Sequence, residues 1–294
     1  METIALELVP PDVEGGAEKA VEIARKVVDN GKASGLTERI KHVLIPGMIA
    51  EDEDRPIEIK PKMDTLDFWQ AIRPELGDVR GICTQVTAFL DQQKLTRRLQ
   101  ALGGAGMDGV VFVGVPRTMS DGEGPGMAPT DALAEFTDVV DNRGVVLIPT
   151  REGEHGRLTF KCERGATFAM TQLLFSDAIV GFLRDFAARS PHRPELLLSF
   201  GFVPGMESSV RLIDWLIQDP GNDVVKQEQE FVARLSQRSF AERKRELVDL
   251  YKRVIDGVAD LGFPLSIHLE APYGPSKPAF ETFLEMLDYY SPED

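Results

Sequence analysis

Eight short apolar runs recur along the chain, at Ile4–Val9, His42–Ile45, Gly81–Phe89, Gly109–Val115, Gly144–Pro149, Phe168–Phe175, Leu196–Phe202 and Pro264–Leu269. Each has strand length and is rich in Val, Ile, Leu and Phe. None alternates cleanly between apolar and polar positions, so the sheet they build must be covered on both faces, as a parallel sheet flanked by helices is. Most of the gaps carry a helical stripe. Ala17–Asp29 places Ala20, Val21, Ile23, Ala24, Val27 and Val28 on one face, and Asp91–Leu102 repeats Leu95, Leu99 and Leu102. Asp177–Ala188 continues Ile179, Phe182, Leu183 and Phe186, and Phe240–Leu261 carries Leu247, Leu250, Tyr251, Val254, Ile255 and Val258. Strands alternating with helices in this number predict an α/β fold, a single (β/α)8 TIM barrel domain over residues 1–294. An open doubly wound sheet is the alternative. Two insertions stand out, near 48–63 and 116–128. The first predicts a small flap, and the second, rich in Gly and Pro, a mobile lid at a strand's C-terminal end. Segment 219–261 predicts helix ahead of the last strand.

Composition narrows the partners. Of 294 residues, 33 are Lys or Arg and 48 are Asp or Glu, a net charge of −15. That excess of acid argues against nucleic acid and against an anionic membrane surface, while leaving room for a small anion in a local basic pocket. Cys83 and Cys162 form no CxxC pair, which excludes a cysteine zinc cluster and a disulfide scaffold and predicts reduced thiols. The first residues lack a basic leader, and no apolar run approaches the roughly 18 residues of a membrane span. A soluble, cytoplasmic protein is the expectation.

Candidate chemistry is sparse. Gly104-Ala-Gly106-Met-Asp-Gly109 matches a dinucleotide fingerprint in letters only, because these glycines end a helix and lead into a strand, the reverse of what a pyrophosphate requires. The histidines His42, His155, His192 and His268 show no metal-ligand spacing, so no metal is expected. His268, beside Glu270 in the last run, reads as a core or supporting histidine. Glu7 is the strongest signal, since it interrupts the first strand, Ile4-Ala5-Leu6-Glu7-Leu8-Val9. Both faces of a barrel strand are covered, so this carboxylate is either paired with a buried cation or held protonated as a general acid. Gln172, within Phe168–Phe175, offers a donor and an acceptor suited to a heterocycle edge, or else serves the neighbouring backbone. Lys161 and Arg164 lie on a predicted helix before that strand, as phosphate contacts or as a solvated face.

Taken together, these segments resemble the methylenetetrahydrofolate reductase superfamily. Its opening Phe-Glu-Phe-Phe-Pro-Pro is matched by Leu6-Glu7-Leu8-Val9-Pro10-Pro11. Its Lys-x-x-x-Gly-Ala followed by Ile-Thr-Gln is matched by Lys161–Ala166 and Met170-Thr171-Gln172. Its Ile-Pro-Gly is matched by Val203-Pro204-Gly205. The resemblance implies a (β/α)8 barrel that reduces 5,10-methylenetetrahydrofolate to 5-methyltetrahydrofolate, in the one-carbon chemistry that feeds methionine biosynthesis. It implies Glu7 as the catalytic acid, Gln172, Thr171 and Thr87 at the substrate, and Lys161, Ile148 and Gly114 at the cofactor.

Departures from the flavoenzyme pattern point to a branch of that family. Where flavin-dependent members carry Arg-Gly-Asp, this chain reads Val113-Gly114-Val115-Pro116-Arg117, with Asp121 or Glu123 the nearest replacements for the lost Asp. A family Tyr falls at Ile148, and Thr-Tyr-Gly falls at Ile45-Pro46-Gly47. The pattern resembles the flavin-independent branch, which implies NADH as a direct hydride donor, no bound FAD and no metal. The competing readings are a flavin-dependent reductase, a barrel lyase using Glu7 as base, and a folate-binding barrel without turnover.

Overall fold

The computed structural model describes residues 2–47, 60–114, 126–205, 207–217, 219, 221–272, 274 and 276–292, without the side chains of 207–209. Eight strands close a parallel barrel in chain order: β1 (Ile4–Glu7), β2 (His42–Ile45), β3 (Arg80–Val86), β4 (Met107–Val113), β5 (Asn142–Leu147), β6 (Phe168–Thr171), β7 (Glu195–Gly201) and β8 (Leu265–Glu270). β8 pairs with β1 at Ile267↔Ile4, His268↔Ala5 and Leu269↔Leu6, which closes the ring and excludes the open sheet. Each strand lies within or beside one of the eight apolar runs.

The helices wrap this barrel. They are α1 (Gly16–Ser34), α2 (Thr65–Leu76), α3 (Gln92–Gly104), α4 (Pro129–Glu135), α5 (Glu154–Glu163), α6 (Ala178–Arg189), α7 (Glu207–Leu216), α8 (Asp223–Ser236), α9 (Phe240–Val258) and α10 (Lys277–Tyr289). The predicted helical stretch 219–261 divides into α8 and α9, each with its own cap. Asn222 accepts the amides of Val224 and Val225, and Ser239 forms a reciprocal capping box with Glu242. The glycine triplet is a helix end: α3 stops at Gly104, Gly106 turns the chain at φ +86°, and β4 starts at Met107.

Strand alternation sends side chains to two separate cores. Outward residues pack against the helices in one large cluster. Inward residues form a second, made of Ala5, Leu44, Ile82, Val111, Phe168 and Leu197 with Val113, Val146 and Met170. Gly144 belongs to this inner layer, and a Cβ there would collide with the Phe168 ring, so an aromatic fills the space glycine leaves. The predicted flap and lid fall largely on 48–59 and 115–125, outside the described residues, as do Asp121 and Glu123. The ends of both segments are anchored. Lys62 pairs with Asp12 at 2.7 Å, and the Thr87 hydroxyl donates to the Met127 carbonyl at 2.6 Å. Among the described residues, no helix is long and apolar enough to cross a membrane.

Candidate functional site

The inner cluster fixes which way Glu7 points. Ala5 belongs to that cluster, and side chains two apart share a face, so Glu7 projects into the barrel at its C-terminal mouth. β8 repeats the arrangement. His268 is level with Ala5, and Leu269 with Leu6, so Glu270 comes level with Glu7 on the inner face. Ligand-type atoms of Glu7, His268 and Glu270 all lie within 4.8 Å of one another. Barrel enzymes place their chemistry at this end.

The three side chains differ sharply in how they are held. Ser199, on β7 and level with His268, donates its single hydroxyl proton to the Thr171 carbonyl at 2.9 Å. Its oxygen is therefore the acceptor in the 2.9 Å contact with His268 Nδ1, which places a proton on Nδ1. Glu270 Oε1 lies 3.1 Å from the same nitrogen. His268 Nε2 is buried and has no partner among the described residues. Among the described residues Glu7 has neither hydrogen bond nor ion pair. Burial, and then the charge of Glu270, push its carboxyl well above the usual carboxylate range. The site therefore favours the protonated, neutral form of this carboxyl group. One imidazole and two carboxylates are also donors a divalent cation accepts.

The other sequence candidates spread around the rim. Gln172 follows β6 and faces inward by alternation from Met170. Its amide nitrogen donates to the Leu216 carbonyl at the end of α7, and its carbonyl oxygen has no partner among the described residues. Thr171 is buried and accepts the Ser199 amide at 2.9 Å, joining β6 to β7 beneath the trio. Thr87 is fully buried, and its hydroxyl proton goes to Met127. Lys161 reaches from α5 to the Val146 carbonyl and to the buried Glu154, both at 2.8 Å, and so neutralises that carboxylate beside β5. Arg164 pairs with Asp131 at 3.1 Å. Ile148, just past β5, and Gly114, just past β4, are half-buried at the rim. Glu7 and Gln172 thus face the barrel interior, while Thr87, Thr171 and Lys161 serve its walls.

Sequence reading missed Glu270 and Ser199 as members of the site. A signal for Glu270 was present: Ile267-His268-Leu269-Glu270 ends a buried strand on a carboxylate, as Ile4-Ala5-Leu6-Glu7 does. What linear sequence hides is that these two strands are neighbours, because that depends on barrel closure.

Fold and site together define a (β/α)8 barrel with a half-buried carboxyl group, unpaired among the described residues, at the catalytic end. The model of the family described as mycobacterial methylenetetrahydrofolate reductase matches residues 1–294, and the chain belongs to that family. Membership makes a reductase acting on small-molecule substrates the coarse functional assignment. A search of curated proteins gave no match. Among solved structures, EDTA monooxygenase (EmoA) from Chelativorans sp. BNC1 is similar over 98% of this chain and 93% of its own, at 15% identity and a TM-score of 0.50. A protein from Aquifex aeolicus VF5 is similar over 79% of this chain and 93% of its own, at 12% identity and a TM-score of 0.42. At such identity the first shows a shared fold alone, and the second carries no argument.

Proposed function

We propose that the protein reduces 5,10-methylenetetrahydrofolate to 5-methyltetrahydrofolate by hydride transfer straight from NADH, with both ligands in the barrel mouth and Glu7 as general acid. Glu7 gives its proton to N10 of the folate. The bond from N10 to the bridging methylene breaks, its electron pair stays on N10, and a 5-iminium cation remains. The hydride of nicotinamide C4 then adds to the methylene carbon, leaving an N5-methyl group and NAD+. Glu7, now a carboxylate, recovers a proton from water. The iminium is already the electrophile, so Glu7 supplies the one activating group. General acid catalysis of this type is worth about 10²–10⁴-fold, and direct transfer needs reacting atoms held about 3–3.5 Å apart.

The observation that carries this reading is the Glu7 carboxyl at the barrel mouth, half-buried, unpaired among the described residues and pushed upward by desolvation and the charge of Glu270. Gln172, whose side-chain carbonyl oxygen has no partner among the described residues, supports it as a contact for the pterin edge. The test is absorbance of NADH mixed with methylenetetrahydrofolate and protein stripped of flavin. Consumption of NADH only when folate is present supports direct transfer. Consumption only after FAD is restored replaces it with the flavin-dependent reaction, and no consumption in either case returns the lyase and folate-binding readings.

A further inference from the structure

We propose that Arg243 binds an oxyanion of a substrate at the rim of the barrel, beside the end of β7: a phosphate of the dinucleotide or a carboxylate of the folate tail. The inference rests on the reading that both ligands occupy the mouth, and it adds a binding residue that sequence reading did not include. Each ligand carries its reacting ring at one place and its negative charge at another. A protein with a net charge of −15 repels both unless a cation at the mouth is kept for them.

Other cations around the mouth are already spent. Lys161 is held by Glu154, Arg164 by Asp131 and Lys62 by Asp12. The end of α8 and the start of α9 show the contrast in one stretch. Of the basic residues from 234 to 244, Arg234 pairs with Glu246, Arg238 with Glu242 and Lys244 with Glu285. Arg243 pairs with no carboxylate among the described residues. Its Nη1 donates to the Arg238 carbonyl at 2.5 Å, and its Nε is buried without a partner. A guanidinium is a planar fork of N–H donors, and the edge formed by Nε and Nη2 can take two oxygens of a carboxylate or a phosphate. Among the described residues that edge has no acceptor.

The fold builds the place. α9 leads into β8, which starts at the base, so its first turn stands at the mouth. Arg243 lies in that turn with Gly205 against it, and a Cβ on Gly205 would lie 2.8 Å from Nη1 and 3.3 Å from Cζ. The glycine leaves the space that the guanidinium fills. Gly205 comes four residues after Gly201, which is level with Glu270, so it lies within about 14 Å of that level. One ligand can therefore span from the trio to Arg243. Barrel enzymes often hold phosphate in the loops after their seventh and eighth strands. The start of α9 is already closed by the capping box of Ser239 and Glu242, so the side chain supplies the charge here, not the helix end.

The test is a set of calorimetric titrations, which need no turnover. NADH, ADP-ribose, 5-methyltetrahydrofolate and its pteroate analogue without the glutamate tail are titrated into wild type, Arg243→Ala, Arg243→Lys and Gly205→Ala. Arg243→Ala is expected to weaken one class of ligand at least about tenfold. Arg243→Lys should fall between, because a point charge replaces a planar fork. Gly205→Ala keeps the charge but pushes the guanidinium aside, and is expected to weaken the same ligand. A loss for NADH and ADP-ribose alone assigns the dinucleotide phosphates. A loss for 5-methyltetrahydrofolate alone, with the tail-less analogue unaffected, assigns the tail carboxylate. Unchanged affinities in Arg243→Ala, an equal loss for every ligand, or a wild type that binds none of them overturns the proposal. If Arg243 governs binding and NADH is never consumed, the anion site stands and the reductase reading fails. If NADH is consumed with folate and the affinities ignore Arg243, the reductase stands and the anion site fails.

Discussion

The barrel interior is polar at both ends, and the two ends are built in opposite ways. At the base, Thr3 Oγ1 meets His42 Nδ1 at 2.6 Å, and His42 Nε2 meets Asp108 at 2.8 Å. Asp108 also takes Arg80 at 3.3 Å, and its carbonyl accepts the Asn142 amide at 2.9 Å. The Thr3 amide donates to Ser266 Oγ at 2.7 Å, and Ser266 donates to Glu195 at 2.5 Å. Every side chain in this chain of contacts has a partner. At the mouth, among the described residues, Glu7 has none, and one ring nitrogen of His268 is buried without one. A satisfied network stabilises, whereas an unsatisfied one costs stability and persists where chemistry needs it. β1, with Thr3 just ahead of it, and β8 contribute to both, through Thr3 and Ser266 below and through Glu7, His268 and Glu270 above. The contrast therefore belongs to position along the strand rather than to the strand itself.

The largest expected effect is at the mouth. Glu7→Gln should keep the fold and folate binding and lose at least about 100-fold in turnover, as measured by steady-state NADH oxidation beside a folate-binding titration. Near-normal turnover removes Glu7 as the acid. At the base, Asp108→Ala strands His42 and Arg80, and should cost about 1–3 kcal/mol in denaturant unfolding while kcat is unchanged. A comparable loss of kcat would mean that the two ends are not separable.

Their pH dependence should have opposite signs. Burial, against the pull of Asp108, lowers the His42 pKa from 6.5, so the base favours the neutral ring. Burial alone would raise Asp108, but the bonds from His42 and Arg80 hold it below 3.8. Both groups therefore contribute stability above their unfolded values that is lost as pH falls, His42 first and Asp108 at lower pH. Glu7 is raised above 4.5, so its contribution is intact below that value and is lost as pH rises through the raised pKa. Glu7→Gln should accordingly be more stable than wild type at neutral pH and nearly equal below about pH 4.5, in thermal melts across pH. An unchanged Tm difference across that range would show that Glu7 has the same pKa in the folded and unfolded protein.

The smallest effect expected is at the rim. Gln172→Ala should raise KM for methylenetetrahydrofolate several-fold with little change in kcat, the pattern of lost uniform binding. A fall in kcat alone would instead assign Gln172 to the transition state.

Much of this was legible along the chain. The apolar runs located all eight strands, because a strand buried on both faces must be apolar nearly throughout. Their ends were less legible. The sixth run continues to Phe175, yet β6 stops at Thr171, and only an isolated bridge from Leu174 to Phe200 extends the pairing. The break between α8 and α9 was hidden because both flanks are amphipathic and charged, while the caps Asn222 and Ser239 are single polar residues among many. Glu7 was visible because a charge inside an apolar strand is costly wherever the strand packs. His268 was read as a core or supporting residue, and it is buried with its Nδ1 2.9 Å from Ser199.

By itself, then, the sequence determined the strand count, the parallel character of the sheet and the presence of one costly carboxylate, since each follows from hydrophobic period and local charge. Tertiary structure alone decided that Glu7 faces the barrel interior, and that a second carboxylate 263 residues further on stands level with it. Closure of β8 onto β1 sets that register, and register is a property of the ring of hydrogen bonds rather than of either strand. The base and the mouth were equally polar in the linear chain. Only the folded barrel shows which of the two is fully partnered among the described residues and which is not.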